Sequence, residues 1–74
     1  MKIFVTNFED STTVAALAFL FQDFGHVEAI RLKQGKKRMY ALIEIDVHGG
    51  EQAIRELDRR EWHGMRLEVM ESQY

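Results

Sequence analysis

Two aromatic residues, Phe4 and Tyr40, have the sequence context of rings on an open sheet surface. The stretches Ile3–Phe8 and Arg38–Ile45 both predict β-strands, because apolar residues recur at alternate positions. Successive side chains of a strand point to opposite faces, so Phe4 and Tyr40 fall on the side away from their aliphatic neighbours. An aromatic ring that faces water can stack against a planar partner. The two rings are therefore the first candidates for a binding surface.

The remaining chain predicts the elements that would hold these two strands. Thr12 is the predicted N-cap of a first helix that ends at Gly25, and Gly49-Gly50 opens a second one. The apolar stripe of the first helix has i, i+3, i+4 and i+7 spacing. Together with the strands, these helices predict the order βαββαβ. The other two strands are predicted at Val27–Lys33 and Arg66–Met70, and the stretch Arg59–Gly64 is predicted as a turn.

The two strand sequences, in this order of elements, resemble the paired signatures of the RNA recognition motif. The resemblance covers nearly the whole chain and implies one domain over residues 1–74. It implies an α+β fold of the ferredoxin-like split βαβ type, in which a four-stranded antiparallel sheet carries both helices on one face. Its open face would bind single-stranded RNA by base stacking. The stretch Leu57–Gly64 resembles small bacterial members of the family and predicts a bacterial source.

Alternation on the four strands divides the side chains into a buried face and an open face. The open face is predicted to carry five positive and two negative side chains, a net of +3, although the whole chain carries −2. The acidic excess would then lie on helices and loops. The buried face is predicted to contain Ile3, Val5, Ile30, Leu32, Ala41, Ile43, Ile45, Leu67 and Val69.

A basic face with two rings suits a single strand of RNA, with single-stranded DNA as the other candidate. Phe4 and Tyr40 would stack bases while nearby cations contact phosphates. The family signature usually has a second aromatic where this chain has Leu42, so we expect weak binding, at best about micromolar. The predicted RNA-binding residues are Lys2, Phe4, Thr6, Arg31, Lys33, Arg38, Tyr40, Leu42 and Arg66. The alternative is that both rings are ordinary strand residues covered by the C-terminal Glu71–Tyr74.

A second hypothesis makes the same fold a protein-interaction module. The stretch Val14–Phe21 contains no charge, and Ala15, Ala18 and Phe19 lie outside its core stripe. This flank predicts weak homodimerisation or a protein partner. The triplet Arg60–Trp62 lies where protein-binding relatives of the family, the U2AF homology motifs, carry the residues that clamp a partner's tryptophan.

Several function classes find no support in the sequence. A chain of 74 residues has little room for an enclosed pocket, and no nucleophile motif or phosphate-binding loop is present, so we expect no enzyme and no cofactor. The three histidines lie in separate predicted loops without cysteine, which predicts no metal site. The longest apolar run is far below the roughly 20 residues of a membrane helix. We therefore expect no membrane partner and a cytoplasmic location.

Overall fold

Two helices pack on one face of a four-stranded antiparallel sheet, as the sequence predicts. A computed structural model describes residues 1–73. The elements are β1 Lys2–Thr6, α1 Val14–Phe21, β2 Val27–Gln34, β3 Met39–Ile45, α2 Val47–Leu57, β4 Glu61–Trp62, β5 Met65–Arg66 and β6 Glu68–Glu71. The four-stranded sheet has the strand order β2-β3-β1-β6, and a smaller sheet pairs β4 with β5.

The core lies between the sheet and the helices and matches the alternation of the strands. Seven of the nine residues predicted for the buried face are at most 2% exposed. The other two, Ile30 and Leu32, are only half-buried, because β2 is an edge strand. From the helices, Leu17, Phe21 and Ala53 are buried completely. Burial of this apolar layer fixes which face of the sheet remains open.

The first helix is shorter than its apolar stripe predicts. Its N-cap is Thr13, not Thr12, because the extended Thr13 places its hydroxyl to accept from the Ala16 N–H at 3.1 Å. Thr12 instead closes a turn through its backbone N–H to the Glu9 carbonyl. The helix ends at Phe21, not at Gly25, and the following turn still lets Phe24 pack against the core. The predicted stripe, Leu17, Leu20, Phe21 and Phe24, therefore faces the core although Phe24 is not helical.

The second helix begins at Val47, before the two glycines predicted to open it. Asp46 is the N-cap: one carboxylate oxygen accepts from the Gly49 N–H at 3.0 Å and the other from the His26 N–H at 2.8 Å. These hydrogen bonds, first that from Gly49, lower the pKa of Asp46. Asp46 thus caps α2 and ties it to the segment before β2. Asp46 is not among the capping residues that the sequence pattern predicts.

The predicted turn at Arg59–Gly64 contains part of a short hairpin, β4–β5, which separates α2 from the last strand. Trp62 and Met65 pair across a two-residue turn, in which His63 and Gly64 both have positive φ, 50° and 83°. Positive φ at both positions is the geometry of a type I′ hairpin. The prediction that the last strand starts at Arg66 is therefore wrong. Arg66 ends the hairpin, and the sheet strand begins at Glu68.

Loss of the Asp46 cap should destabilise the fold in a pH-dependent way. We expect Asp46→Ala to lower Tm by several degrees at neutral pH, because two backbone N–H groups lose their acceptor. The folded-state pKa lies below the ordinary value of 3.8, so the wild-type advantage is complete above that pH. It shrinks as the pH falls through the lowered pKa. Thermal melts over a pH series, with the exposed Asp10→Ala as control, would contradict this if both variants behaved alike.

Candidate nucleic-acid interface

Strand pairing arranges the open face as three cross-strand rows. Pairing of β2, β3, β1 and β6 defines each row in that order. The middle row carries Phe4 together with two apolar side chains. The row nearest the turn between β2 and β3, which we name the hairpin-end row, carries Tyr40. The middle row is Arg31, Leu42, Phe4 and Met70; the hairpin-end row is Lys33, Tyr40, Thr6 and Glu68; and the far row begins with Ala29, Glu44 and Lys2.

The two predicted stacking rings lie against each other. The ring centroids of Phe4 and Tyr40 are 5.2 Å apart, with an angle of 24° between the ring planes. They are diagonal neighbours, because Phe4 pairs with Leu42 and Tyr40 with Thr6. Gly35 also lies close to the tyrosine ring: a Cβ atom at Gly35 would be 3.5 Å from Tyr40 Cδ1. The strands thus bring the rings together into one aromatic platform, which we define as Phe4 and Tyr40.

Positive side chains surround this platform on the β2 side. Arg31 and Lys33 are exposed and stand next to Leu42 and Tyr40. Lys2 is half-buried opposite Glu44. The open face carries four positive side chains, Lys2, Arg31, Lys33 and Arg38, against the negative Glu44 and Glu68, a net of +2. The predicted value of +3 is wrong because Arg66 lies outside the sheet.

Arg38 does not point freely into solvent at the hairpin end of the sheet. Its guanidinium donates to Glu68 Oε1 at 3.2 Å and to Asn7 Oδ1 at 3.1 Å. Because β1 lies between β3 and β6, this bridge spans the end of β1. The side chains of Arg38 and Glu68 remain 49% and 41% exposed. Arg38 can therefore reach a phosphate only in competition with Glu68. We define the polar bridge as Arg38, Asn7 and Glu68.

Thr6 has the predicted strand position but not the predicted accessibility. Only 4% of Thr6 is exposed, and its hydroxyl donates to the Met39 carbonyl at 2.8 Å. The hydroxyl is therefore already used within the sheet, and Thr6 presents almost no surface for a contact with RNA. This hydrogen bond ties β1 to the start of β3, next to Tyr40.

Arg66 lies next to the open face rather than on it. Its backbone carbonyl accepts from the Asn7 side-chain amide at 2.7 Å, and its side chain is exposed on the β4–β5 hairpin. A groove lined by Asn7, Asp58, Arg59, Arg66, Leu67, Glu68 and Met70 joins it to β6. The placement of Arg66 within the sheet face is wrong, since the hairpin turns the chain out of the sheet before β6.

The C-terminal segment borders the platform but does not close the open face within the described residues. A groove is lined by Phe4, Met70, Glu71, Ser72 and Gln73. The alternative hypothesis is that Glu71–Tyr74 covers both rings. The first three residues of this segment lie beside Phe4. Tyr74, the last residue of that alternative, lies outside the described residues.

A second surface lies between α1 and the β4–β5 hairpin. It is a mostly apolar groove, and Phe19 at its margin is 75% exposed. The Trp62 indole forms one wall and stacks with the His63 ring at a centroid distance of 4.1 Å. The groove brings the predicted Phe19, Ala15 and Trp62 together, whereas Ala18 does not line it. The lining residues are Ala15, Ala16, Phe19, Leu20, Asp23, Trp62 and His63.

Comparison with known proteins identifies the family. The family model for the RNA recognition motif matches residues 3–68. The chain belongs to the RNA recognition motif family. The signature stretches that carry the platform fall within this match, and the family consists of binding domains, so the protein is not an enzyme.

Similarity to individual proteins also supports membership of this family. RbpD of Nostoc sp. (strain PCC 7120), which is named as an RNA-binding protein, is 36% identical over 74 residues that cover 93% of this chain and 79% of RbpD. CG14230 of Drosophila melanogaster, also named as an RNA-binding protein, is 29% identical over 72 residues, but this chain spans only 12% of its length. The crystal structure of the RNA-binding protein PG1 has a TM-score of 0.90 and 28% identity, with 100% of this chain and 95% of PG1 covered. The match to RbpD supports the predicted bacterial source.

Two further surveys cover only the residues described by the structure. Within residues 1–73, no group of three or more histidine or acidic side chains is arranged to hold a metal ion. Neither helix in this part of the chain is long and apolar enough to cross a membrane.

Glu68 and Asn7 are the residues of this interface that sequence reasoning missed. Alternation places Glu68 on the open face, but its ion pair with Arg38 depends on β6 lying next to β1, a long-range pairing. Asn7 has a left-handed backbone, with φ of 66°, which turns its side chain toward both Arg38 and Arg66. Asparagine at the end of a strand is a known signal for this conformation.

Proposed function

We propose that the protein binds short single-stranded RNA on the open face of its sheet. The observation that carries the proposal is the aromatic platform, whose two rings lie 5.2 Å apart on adjacent central strands. Bases of any sequence have a π-face, so such rings bind single strands without requiring a base pair. The names of RbpD and PG1 as RNA-binding proteins support RNA as the ligand. A cytoplasmic location belongs to the same proposal.

Electrostatics would guide the strand across β2 and β3. Arg31 and Lys33 lie in successive rows on the outer side of the platform. Phosphates spaced along a backbone could contact these two cations while the bases turn inward toward Phe4 and Tyr40. Leu42, between Arg31 and Phe4, offers apolar contact to a sugar but no stacking face. With two rings and few unpaired cations, we expect a dissociation constant of about micromolar at low salt.

Salt dependence tests the proposed phosphate contacts. We expect the dissociation constant for a fluorescent oligouridine to rise with salt, and Lys33→Ala to reduce the slope of log K against log salt by about 0.7. Fluorescence anisotropy over a salt series measures this slope. The matched control is Arg55→Ala, which removes one exposed positive charge from α2 on the other side of the sheet. Equal slopes for the two variants, or no binding at low salt, would contradict the proposal. The same titration with a DNA oligonucleotide compares the two nucleic acids.

A second candidate function is weak self-association through α1. The specific observation is the groove beside this helix, with Phe19 as an exposed knob next to Ala15 and Ala16 on the same element. No residue of Val14–Phe21 is charged, so two copies can bring these helices together around a two-fold axis without repulsion between them. Contact between two short helices buries less area than stable dimers do, so the dimer would be weak.

Phe19→Glu separates this candidate from RNA binding. We expect the variant to be monomeric at concentrations where the wild-type protein dimerises, because two buried carboxylates would face an apolar groove. Sedimentation velocity over a concentration series gives the result, while RNA affinity should not change. Arg60→Glu, which reverses a charge near Trp62, tests the alternative of a peptide partner. A wild-type protein that remains monomeric at millimolar concentration would exclude self-association.

A further inference from the structure

We infer that Glu68 makes the open face selective for guanine, with Arg38 as its positioning residue. The inference rests on the proposed function, since it concerns a base already stacked on the platform. It names a base preference for that same surface. Three observations carry it: the position of Glu68 beside the platform, the anchoring of its carboxylate, and the accessibility of the remaining acceptor sites.

Position comes from the pairing of β1 with its two neighbours. Thr6 pairs with Tyr40 on one side and with Glu68 on the other, so the carboxylate and the tyrosine ring flank the same residue. Strands in a sheet are about 4.8 Å apart, which puts the Cα atoms of Tyr40 and Glu68 about 10 Å from each other. Glu68 is also the diagonal neighbour of Phe4, because Phe4 pairs with Met70. A base on either ring could therefore extend its edge toward this carboxylate.

The polar bridge fixes the orientation of the carboxylate. Arg38 donates to Oε1 of Glu68 and, through its other terminal nitrogen, to the side-chain oxygen of Asn7. The amide of Asn7 in turn donates to the Arg66 carbonyl, which belongs to the β4–β5 hairpin. A carboxylate held in this way loses little conformational entropy when a ligand binds.

Acceptor capacity remains for a ligand. An ionised carboxylate has about four lone-pair directions, and the bridge uses one of them at Oε1. The Glu68 side chain is 41% exposed, so a ligand has access to part of it. A carboxylate repels phosphate, and it therefore selects for donors on a base edge rather than for the RNA backbone.

Among the four bases, guanine offers the best match to such a group. Its Watson–Crick edge presents an imino N–H and an amino N–H side by side, which can donate to the two oxygens of one carboxylate. Uracil presents a single imino N–H between two carbonyl groups. Adenine and cytosine each present an amino group beside a ring nitrogen that is itself an acceptor. An acceptor-only group in a fixed orientation therefore favours guanine, and bases without both donors lose a charge-assisted hydrogen bond.

Removal of the amino group from the guanine base tests the inference. The probes are short oligouridines with a single central guanosine or with inosine, which lacks the amino group, at the same place. We expect the wild-type protein to bind the guanosine probe about tenfold more tightly than the inosine probe. Glu68→Gln should abolish this difference. Glu51→Gln, which removes one exposed carboxylate from α2 on the other side of the sheet, should retain it.

The outcomes distinguish the inference from the function on which it rests. If the wild-type protein binds both probes equally, or if Glu68→Gln keeps the preference, the assignment of Glu68 is wrong. If Tyr40→Ala still weakens binding in that case, RNA binds on the platform although Glu68 does not select the base. If neither probe binds and Tyr40→Ala has no effect, the proposed function and the inference fail together. Amide spectra of each variant verify that the fold is intact.

Discussion

Tyr40→Ala and Phe4→Ala are each expected to weaken RNA binding by about 1–3 kcal/mol, which is the typical value of one base stacked on an aromatic ring. Both side chains lie on the open face and neither is part of the buried core, so the fold should persist. Each ring also supports its neighbour at 5.2 Å, and the double variant should therefore lose somewhat less than the sum of the two single losses. Anisotropy titrations with a short oligouridine give all three affinities.

Two controls make this expectation specific for stacking. Tyr40→Phe keeps the π-face and removes only the hydroxyl, so it should bind nearly as well as the wild-type protein. Phe19→Ala removes an aromatic ring of the same size from α1, on the other side of the molecule, and should leave the affinity unchanged. Wild-type affinity in both alanine variants of the platform would rule out base stacking as the binding mode.

Gly49→Ala is expected to have the largest effect on stability, a loss of about 2 kcal/mol, because α2 packs closely against the segment before β2. A Cβ atom at this position would lie 2.7 Å from the Phe24 carbonyl oxygen and 2.8 Å from the Gly25 Cα. Both are backbone atoms, so the helix itself must shift and strain the Asp46 cap. This cost exceeds the roughly 1 kcal/mol that alanine gains over glycine in a helix. In a domain of this size, Tm should fall by about 10 °C.

Gly50→Ala is the matched control, one residue further along the same helix. A Cβ atom there would meet the sulfur of Met1, the flexible end of a side chain, and Ile45 Cγ2 at 3.0 Å. Met1 can move away, so the loss should be clearly smaller than for Gly49→Ala. Thermal melts of the two variants under the same conditions make the comparison. If Gly50→Ala were the less stable protein, the close approach of backbones at Gly49 would not be what requires glycine there.

The architecture was predictable because it follows from the periodic spacing of apolar residues in the sequence. Alternation of apolar side chains in β1 and β3 decides which face is buried, and the stripe through Leu17 and Phe21 decides how α1 lies on the sheet. The same periodicity put Phe4 and Tyr40 on one face, and strand pairing brings them together as a platform. These features depend on the regular spacing of residues close in sequence.

The errors occur where local geometry or long-range pairing decides the outcome. Thr12 and Thr13 are equivalent as capping residues, and only the backbone angles select Thr13. The hairpin turn at His63-Gly64 moves Arg66 off the sheet, although the pattern Arg66–Met70 alternates like a strand. The bond from Arg38 to Glu68 joins residues 30 positions apart, across a strand that neither belongs to. No pattern within a short window contains that information.

The central claim, that RNA binds on the aromatic platform of the open face, is tested most directly by an NMR titration. Isotope-labelled protein is titrated with short single-stranded RNA at low and at moderate salt, and the backbone amide shifts are followed residue by residue. We predict that the largest shifts fall on Phe4, Arg31, Lys33 and Tyr40 and that they decrease as salt is added. Absence of shifts at low salt, or shifts confined to α1 and the β4–β5 hairpin, would contradict the account.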